Sequence, residues 1–468
     1  MKLKNITVNN FRCYSSLSLD LHPQLTILVA NNGGGKTTLL DAIRKSIWEY
    51  LKGFDLAYTT LENRRNTILI KDILVQQNGL EMSRQFPSEI ICTADYGKGD
   101  RTWKISADSE NGRTTHKHNK ASKLLNLFSK KQQRYIRDLD KTPIDLPIFA
   151  FYGTGRLWKT KLKSHKKKNI VNQVSQKTRT FAYANCLAPE SNYKQFEQWF
   201  IDKSIQELQE QIKQLKSGRR VFTVASAIED PIAVVKKAID HVLKDIGWNN
   251  LNYYHDTIFP LVLEHKDKGR LGVHMMSDGI KNMVALVADI AYRCSLLNSH
   301  LGAEAALKSQ GIVMIDEVDM HLHPQWQQTI VSGLTQAFPN IQFIMTTHSP
   351  QVLSTVAADS IRLLKQGTDA KTGKPYATAE KPNTQSRGIT SADILAILMD
   401  IDPIPNVKEA RWLSAYKTLI QKNQYKTQEA KELWGKLLTH FGQQHQAILE
   451  CKRLIRLIEM KNKMYKNK

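Results

Sequence analysis

The sequence predicts an α/β fold in which a mixed sheet is layered with helices, and three observations point to it. The apolar run 25–30 (LTILVA) leads directly into the glycine cluster Gly33-Gly34-Gly35, and the next segment, 38–51, carries apolar residues at helical spacing. A second apolar run, 311–315 (GIVMI), ends in two carboxylates, Asp316 and Glu317. A third ends in Thr346-Thr347-His348. Short runs that are apolar throughout suit strands covered on both faces, and the order strand, glycine loop, helix is that of a phosphate-binding loop.

The elements follow in order. Residues 6–11 (ITVNNF) and 17–21 (LSLDL) read as two strands joined by a turn, with His22-Pro23 leading into 25–30. Segments 89–96 and 102–107 alternate apolar and polar, the pattern of an antiparallel sheet, and 109–142 is polar and basic. Residues 146–156 (LPIFAFYGTGR) read as a returning core strand followed by a glycine turn. The lysine run 159–168 reads as a solvated loop, with contact to nucleic acid as the alternative. In the helix predicted over 194–216, Ile201, Ile205, Leu208, Ile212 and Leu215 alternate four and three residues apart. That is coiled-coil spacing over only about two heptads, so a helix packed on its own domain is expected. Asp230-Pro231 starts a further helix through Leu243. One more apolar segment after 348 precedes a loop at 367–388 rich in Gly, Pro, Thr and Lys. Thr390 and Asp393 form a partial capping signal, and 390–460 reads as amphipathic helices marked by Trp412, Tyr416, Leu419, Trp434, Leu437 and Phe441. No internal repeat is visible.

Composition bounds the class. A chain of 468 residues with 41% hydrophobic content can bury a real core, which excludes a disordered or fibrous protein. The start, MKLKNITVNNF, is too polar for a signal peptide and no apolar run is long enough to span a bilayer, so a cytoplasmic protein without membrane contact is expected. Cys13, Cys92, Cys186, Cys294 and Cys451 lie far apart without a CxxC pair and read as reduced thiols. The formal charge of +23, from 67 Lys plus Arg against 44 Asp plus Glu, favours a polyanionic partner, nucleic acid first. A merely soluble, charged surface is the other reading.

The residues that carry chemistry stand at the ends of the three apolar runs. Ala30-Asn31-Asn32-Gly33-Gly34-Gly35-Lys36-Thr37 matches the Walker A pattern, with Ala30 in place of the first glycine. In such a loop, backbone N–H groups from Asn32 to Thr38 curl around phosphates at a helix N-terminus, Lys36 reaches the β and γ phosphates, and Thr37 ligates magnesium. Asp316 would hold the magnesium shell and Glu317 would polarise an attacking water as general base. Ser277-Asp278-Gly279 with Lys281 opens a predicted helix upstream of that strand and offers hydroxyl and backbone donors to a γ-phosphate. His348 is placed to contact γ-phosphate and water. ATP and Mg²⁺ are thus the expected ligands.

Together, KNITVNNFRCY, the glycine loop, MSDGIKN, IDEVDMHLHPQWQ and TTHSPQV resemble the SMC, Rad50, RecF and OLD-like branch of ABC ATPases, over the first 50 residues and about 270–365. The resemblance implies an ABC-type P-loop head that works as a dimer, with the Ser277 segment facing the ATP of the opposite subunit. It also implies that Arg12 reaches the nucleotide phosphates, that Asp319 and His323 lie in a dimer-contact loop, and that 152–156 (YGTGR) lies near the nucleotide. The Q-loop glutamine has no clear counterpart. The implied organisation is a first half of the head at 1–108, a basic, mainly helical insertion at 109–269 with a core strand near 146–156, a second half at 270–366, a linker at 367–389 and a helical domain at 390–468. OLD nucleases carry an acidic C-terminal cluster, but Asp400 and Asp402 in MDIDPIP read here as a turn, so no nuclease is expected in this chain. The short head, small insertion and helical tail look most like the PtuA-like ATPases of Septu and retron-associated anti-phage systems. That resemblance implies a partner HNH nuclease and, in the retron case, a reverse transcriptase with its multicopy single-stranded DNA. A stand-alone RecF- or Rad50-like repair ATPase and a nucleotide-gated scaffold with negligible turnover are the alternatives; the interrupted head and basic insertion disfavour a transporter subunit.

Overall fold

The computed structural model describes residues 1–55, 66–78, 81–96, 99–109, 120–138, 140–155, 178–188, 193–216, 231–254, 260–368 and 375–466. Arg156, the lysine run 159–168 and Asp230 lie outside them. The chain divides into two units, Met1–Ile394 and Leu395–Lys468.

The first unit holds a mixed α/β architecture, strands layered with helices. Its core sheet has the order β15-β14-β3-β13-β12-β8, formed by β3 (Leu25–Val29), β8 (Ile148–Tyr152), β12 (Gly311–Ile315), β13 (Ile341–Thr346), β14 (Ile361–Thr368) and β15 (Pro375–Glu380). All neighbours run parallel except β15, which pairs antiparallel with β14 at the edge. Strands β3, β8, β12 and β13 are buried at every position, which is why their sequences are apolar without alternation. Gly311 lets β12 approach β8, since a Cβ there would meet the Ile148 carbonyl oxygen at 2.1 Å. The edge strand β15 falls in the stretch that reads as a loop; its weakly apolar sequence, PYATAE, is typical of an edge that buries little.

A four-stranded antiparallel sheet, order β2-β1-β6-β7, is built from β1 (Lys2–Phe11), β2 (Tyr14–Asp20), β6 (Ser88–Asp95) and β7 (Asp100–Ala107), and β4 (Val75–Asn78) pairs with β5 (Glu81–Arg84) in a separate two-stranded sheet. In β6 every second residue is buried, so Ile90, Cys92 and Ala94 share one face. One amide joins the two sheets: Gln342 of β13, fully buried, accepts the Leu3 N–H at 2.8 Å and donates to the carbonyls of Leu3 at 2.8 Å and His22 at 2.9 Å. Helix α1 (Lys36–Leu51) is buried along nearly its whole length, and the Trp103 indole N–H of β7 reaches its Ser46 carbonyl at 3.1 Å.

Between the halves lie α2 (Lys120–Tyr135), α3 (Tyr193–Lys216) and α4 (Pro231–Leu243), followed by a three-stranded antiparallel sheet of β9 (Trp248–Tyr253), β10 (Leu261–His265) and β11 (Gly269–Gly272). The sequence reading did not separate this sheet from the helices around it, because the asparagines of β9 and the shortness of β11 hide its alternation. Phe196 and Phe200 bury the first half of α3 beside Tyr292, whereas Leu208, Ile212 and Leu215 are exposed on its second half. Helix α5 (Asp278–Leu297) is buried along most of its length and packs against β8, and Asn298 at its end clamps the chain before β8 by accepting the Leu146 N–H at 2.8 Å and donating to its carbonyl at 3.0 Å.

In the second unit, the helices Lys408–Gln421, Gln428–Phe441 and Gln446–Lys466 close on Tyr416, Ile420, Ala430, Leu437, Ile448 and Cys451. The Tyr416 and Trp434 rings stack at 5.0 Å. Asp402 accepts the Ile404 N–H at 2.9 Å in a turn after Asp400, whose φ is 54°. Among the described residues no three His, Cys, Asp or Glu side chains gather as a metal cluster, and no helix is long and apolar enough to cross a membrane.

Candidate nucleotide site

The glycine loop sits between β3 and α1, where Gly33 and Gly35 take φ of 78° and 83°, conformations that glycine adopts without strain. Asn31, Asn32, Gly33 and Thr37 are exposed at its mouth, Gly34 is half-buried, and Thr38 is buried at the first turn of α1. Lys36 folds back across the loop: its Nζ donates to the Ala30 carbonyl at 2.8 Å and to that of Asn31 at 3.4 Å. Burial lowers the pKa of this ammonium, and Asp316, Glu317 and Asp319 oppose the shift. Tyr14 closes the loop from below, its hydroxyl donating to the Gly34 carbonyl at 2.8 Å.

This packing makes Gly35 sensitive. A Cβ there would lie 2.2 Å from the Tyr14 hydroxyl oxygen, on a backbone already left-handed. Gly35→Ala is expected to cost the loop about 1–3 kcal/mol of strain and to weaken nucleotide binding roughly 5- to 150-fold, measured by calorimetric titration with ATP.

Asp316 follows β12 and is held on three sides. Its N–H donates to the Tyr152 carbonyl at 2.8 Å, one carboxylate oxygen accepts the Thr37 hydroxyl at 2.8 Å, and the other accepts the Thr346 hydroxyl at 2.6 Å. The same Thr346 oxygen accepts the Glu317 N–H at 2.8 Å, and Glu317 is half-buried with a left-handed φ of 50°. Asp319 accepts a hydrogen bond from Thr347, and Thr347 Oγ1 in turn accepts the Ser349 N–H at 2.9 Å. His348 is half-buried between them. His323 caps the short helix Pro324–Gln327 through its Nδ1.

Lys36, Thr37, Asp316 and Glu317 therefore converge. Ser277, Asp278 and Lys281 do not join them by hydrogen bonds among the described residues. Ser277 is the exposed N-cap residue of α5 without a side-chain capping bond, and Lys281 pairs with Asp278 at 2.9 Å. Gly279 lies so close to the 319–322 turn that a Cβ would meet the His321 carbonyl oxygen at 2.5 Å, and the Asn282 amide donates to the Met320 carbonyl at 3.4 Å. Arg12 is held by carboxylates: its Nε donates to Asp72 at 2.9 Å, and its guanidinium also pairs with Asp41. Thr346 and Tyr14 are the positions that sequence reasoning missed. Two consecutive threonines just before His348 were the available signal for the first; nothing in the sequence singles out the second.

A family model described as AAA ATPase domain matches residues 1–353. The chain belongs to the AAA ATPase domain family. The matched region of the AAA ATPase domain contains the glycine loop, Asp316, Glu317, the Ser277 segment and His348. The retron Ec83 probable ATPase of Escherichia coli is 28% identical over 97% of this chain and 86% of its own length. The retron Vc95 probable ATPase of Vibrio cholerae is 26% identical over 92% of this chain and 86% of its own. Septu protein PtuA of Bacillus mycoides is 29% identical over 43% of this chain and 27% of its own. The likeness to retron-associated and PtuA-like ATPases that the motifs implied thus extends, with the retron relatives, over nearly the whole chain.

Proposed function

We propose that this chain binds ATP on the 30–38 loop, hydrolyses it, and works as a dimer or higher oligomer in which the start of α5 in one copy completes the site of the other. The bridging of Asp316 between Thr37 and Thr346, with Glu317 pinned one residue beyond, carries the reading. It sets a carboxylate, a hydroxyl, an ammonium and a candidate base around the mouth of one glycine loop. The Thr37 hydroxyl and the Asp316 carboxylate, 2.8 Å apart, are hard oxygen donors that would hold Mg²⁺. When bound there, Mg²⁺ would supply positive charge against the negative charge that develops on the transferred phosphoryl group.

The chain's own residues do the rest. N–H groups of 32–38 hold the phosphates, and Lys36 leaves its carbonyl partners to meet the β and γ oxygens. Glu317 takes a proton from the attacking water, while His348 orients the γ-phosphate and that water. Ser277, Asp278, Gly279 and Lys281 contact the nucleotide in trans, with Ser277 exposed at the N-cap of α5. Arg12 lies beside the Cys13 turn, where Cys13 Sγ donates to Thr38 Oγ1 at 3.9 Å, and reaches toward phosphate by giving up its Asp41 pairing.

The names of the relatives support placing this activity in a retron- or Septu-type defence complex, where closing of the head controls an HNH nuclease partner. A reverse transcriptase and multicopy single-stranded DNA complete the retron form. Affinity purification of the chain co-expressed with its genomic neighbours tests this. Recovery of an HNH protein, with or without a reverse transcriptase and branched DNA, is the expected result. An ATPase recovered clean of protein and nucleic acid would favour the stand-alone repair reading.

A further inference from the structure

Helix α2 carries a face that the nucleotide chemistry does not use. Its sequence, KASKLLNLFSKKQQRY, contains no acidic residue. Ser122, Leu125, Ser129 and Gln133 are buried and dock the helix, with the Ser122 hydroxyl donating to the Lys104 carbonyl of β7 at 2.9 Å and Gln133 accepting the Asp55 N–H at 3.3 Å. Tyr50 of α1 donates to Gln132. On the opposite side Lys120, Lys123, Lys130, Lys131 and Arg134 are all exposed, spaced so that they share one face. None of the five pairs with a carboxylate among the described residues.

This arrangement works against the helix that bears it. Lys120 and Lys123 stand in the first turn, where the helix dipole disfavours cations, and no acid there offsets them. Lys120 and Lys123, Lys130 and Arg134, and Lys131 and Arg134 are like-charge pairs at three- or four-residue spacing, each mildly destabilising. A solvated surface face ordinarily interleaves both signs, so this one-signed stripe departs from local preference without a structural gain.

We infer that the exposed face of α2 binds the phosphate backbone of a nucleic acid, an assignment that rests on the nucleic-acid partnership of the proposed function. Charge complementarity selects the partner. At a rise of ~1.5 Å per residue the stripe from Lys120 to Arg134 extends about 21 Å. A polyanion with closely spaced phosphates can engage all five cations along that length at once. A lipid surface fits less well, because an interfacial helix needs its apolar face free to insert, and here that face is spent on α1 and β7. Only Leu124 and Leu127 stand among the exposed cations, at 44% and 52% exposure. The contacts are to backbone, so binding depends on salt and little on sequence.

The test is the salt dependence of binding of the full chain to a labelled single-stranded oligonucleotide, comparing the unchanged chain with the quadruple variant K123Q, K130Q, K131Q and R134Q. Four lost phosphate contacts are expected to flatten the slope of log affinity against log salt by about 3, with DNA-free ATP turnover unchanged and a melting temperature equal to or slightly above that of the unchanged chain, since like-charge pairs are removed. A variant with K123R, K130R and K131R should keep the original slope. An unchanged slope in the glutamine variant overturns the assignment to α2 while leaving nucleic-acid binding elsewhere on the chain. No oligonucleotide binding by the unchanged chain at low salt overturns both the assignment and the nucleic-acid part of the proposed function. Loss of binding to phosphatidylserine vesicles, with the oligonucleotide slope unaltered, overturns it in favour of a lipid surface.

Discussion

Glu317→Gln is expected to lower ATP turnover about 10²- to 10⁴-fold, the range a positioned general base contributes, while ATP affinity stays close to that of the unchanged chain. The separation of the two effects follows from the geometry. The hydrogen bonds that fix Lys36 and Thr37 in the phosphate cradle are made by other groups: Lys36 is anchored by the carbonyls of Ala30 and Asn31, and Thr37 by Asp316, while Asp316 and Asp319 still favour the charged Lys36 once Glu317 is neutral. The backbone of Glu317 is held by Thr346 through its N–H, so glutamine keeps the position and loses only the basicity. A non-glycine residue at φ 50° is strained by about 1–3 kcal/mol, and strain of this kind persists where the surroundings over-determine the backbone. Here Thr346 supplies that constraint. With binding intact and hydrolysis stalled, the ATP-bound dimer should accumulate and be visible by light scattering in the presence of ATP. Lys36→Ala gives the opposite pattern, because it removes the ammonium from the loop; it should abolish both nucleotide binding and ATP-dependent dimerisation. Turnover near the original rate in Glu317→Gln would remove this residue as the base.

The parts of the site that were legible in the sequence are those written in contiguous residues. Strands β3, β12 and β13 show as apolar runs because parallel strands are covered on both faces, and the glycine loop and the Asp316-Glu317 pair follow them directly. What was not legible depends on register. Ile315 pairs with Met345, which sets Thr346 beside Asp316 and lets one hydroxyl organise both carboxylate residues. No local pattern announces that pairing. Arg12 reads as a phosphate contact by resemblance, but its carboxylate partner Asp72 comes from a 3-10 turn far along the chain, brought near by packing alone. In Asp72, burial pushes the carboxyl pKa up, yet Lys45, the Leu69 N–H and Arg12 together hold it below the usual value. Likewise the 109–142 stretch reads only as polar and basic. Its division into a docked face and a cationic face requires knowing where α1 and β7 lie.

The other large effect is expected far from the loop mouth, at Asp289 in the middle of α5. One of its carboxylate oxygens accepts the Tyr152 hydroxyl at 2.7 Å and Arg293 Nε at 2.8 Å, and Arg293 also donates to the Ala182 carbonyl. All three side chains are buried. Burial alone would lower the Arg293 pKa, but Asp289 and Tyr152 more than offset it and the guanidinium stays charged. Asp289→Ala therefore leaves a buried cation without its counter-charge, and destabilisation of about 3–5 kcal/mol is expected, read as a lowered urea midpoint. Replacing both partners, with Asp289→Leu and Arg293→Met, removes the uncompensated charge and should recover most of that stability. A single variant with an unchanged midpoint would show that water or rearrangement satisfies Arg293. The double variant carries a second consequence, because Tyr152 ends β8 and its carbonyl accepts the Asp316 N–H, while Ser277 is the N-cap residue of α5. The network ties the helix that bears the proposed trans contact to the strand that positions the proposed magnesium ligand. Stability regained without turnover regained would assign Asp289 a positioning role; both regained together would leave it purely structural.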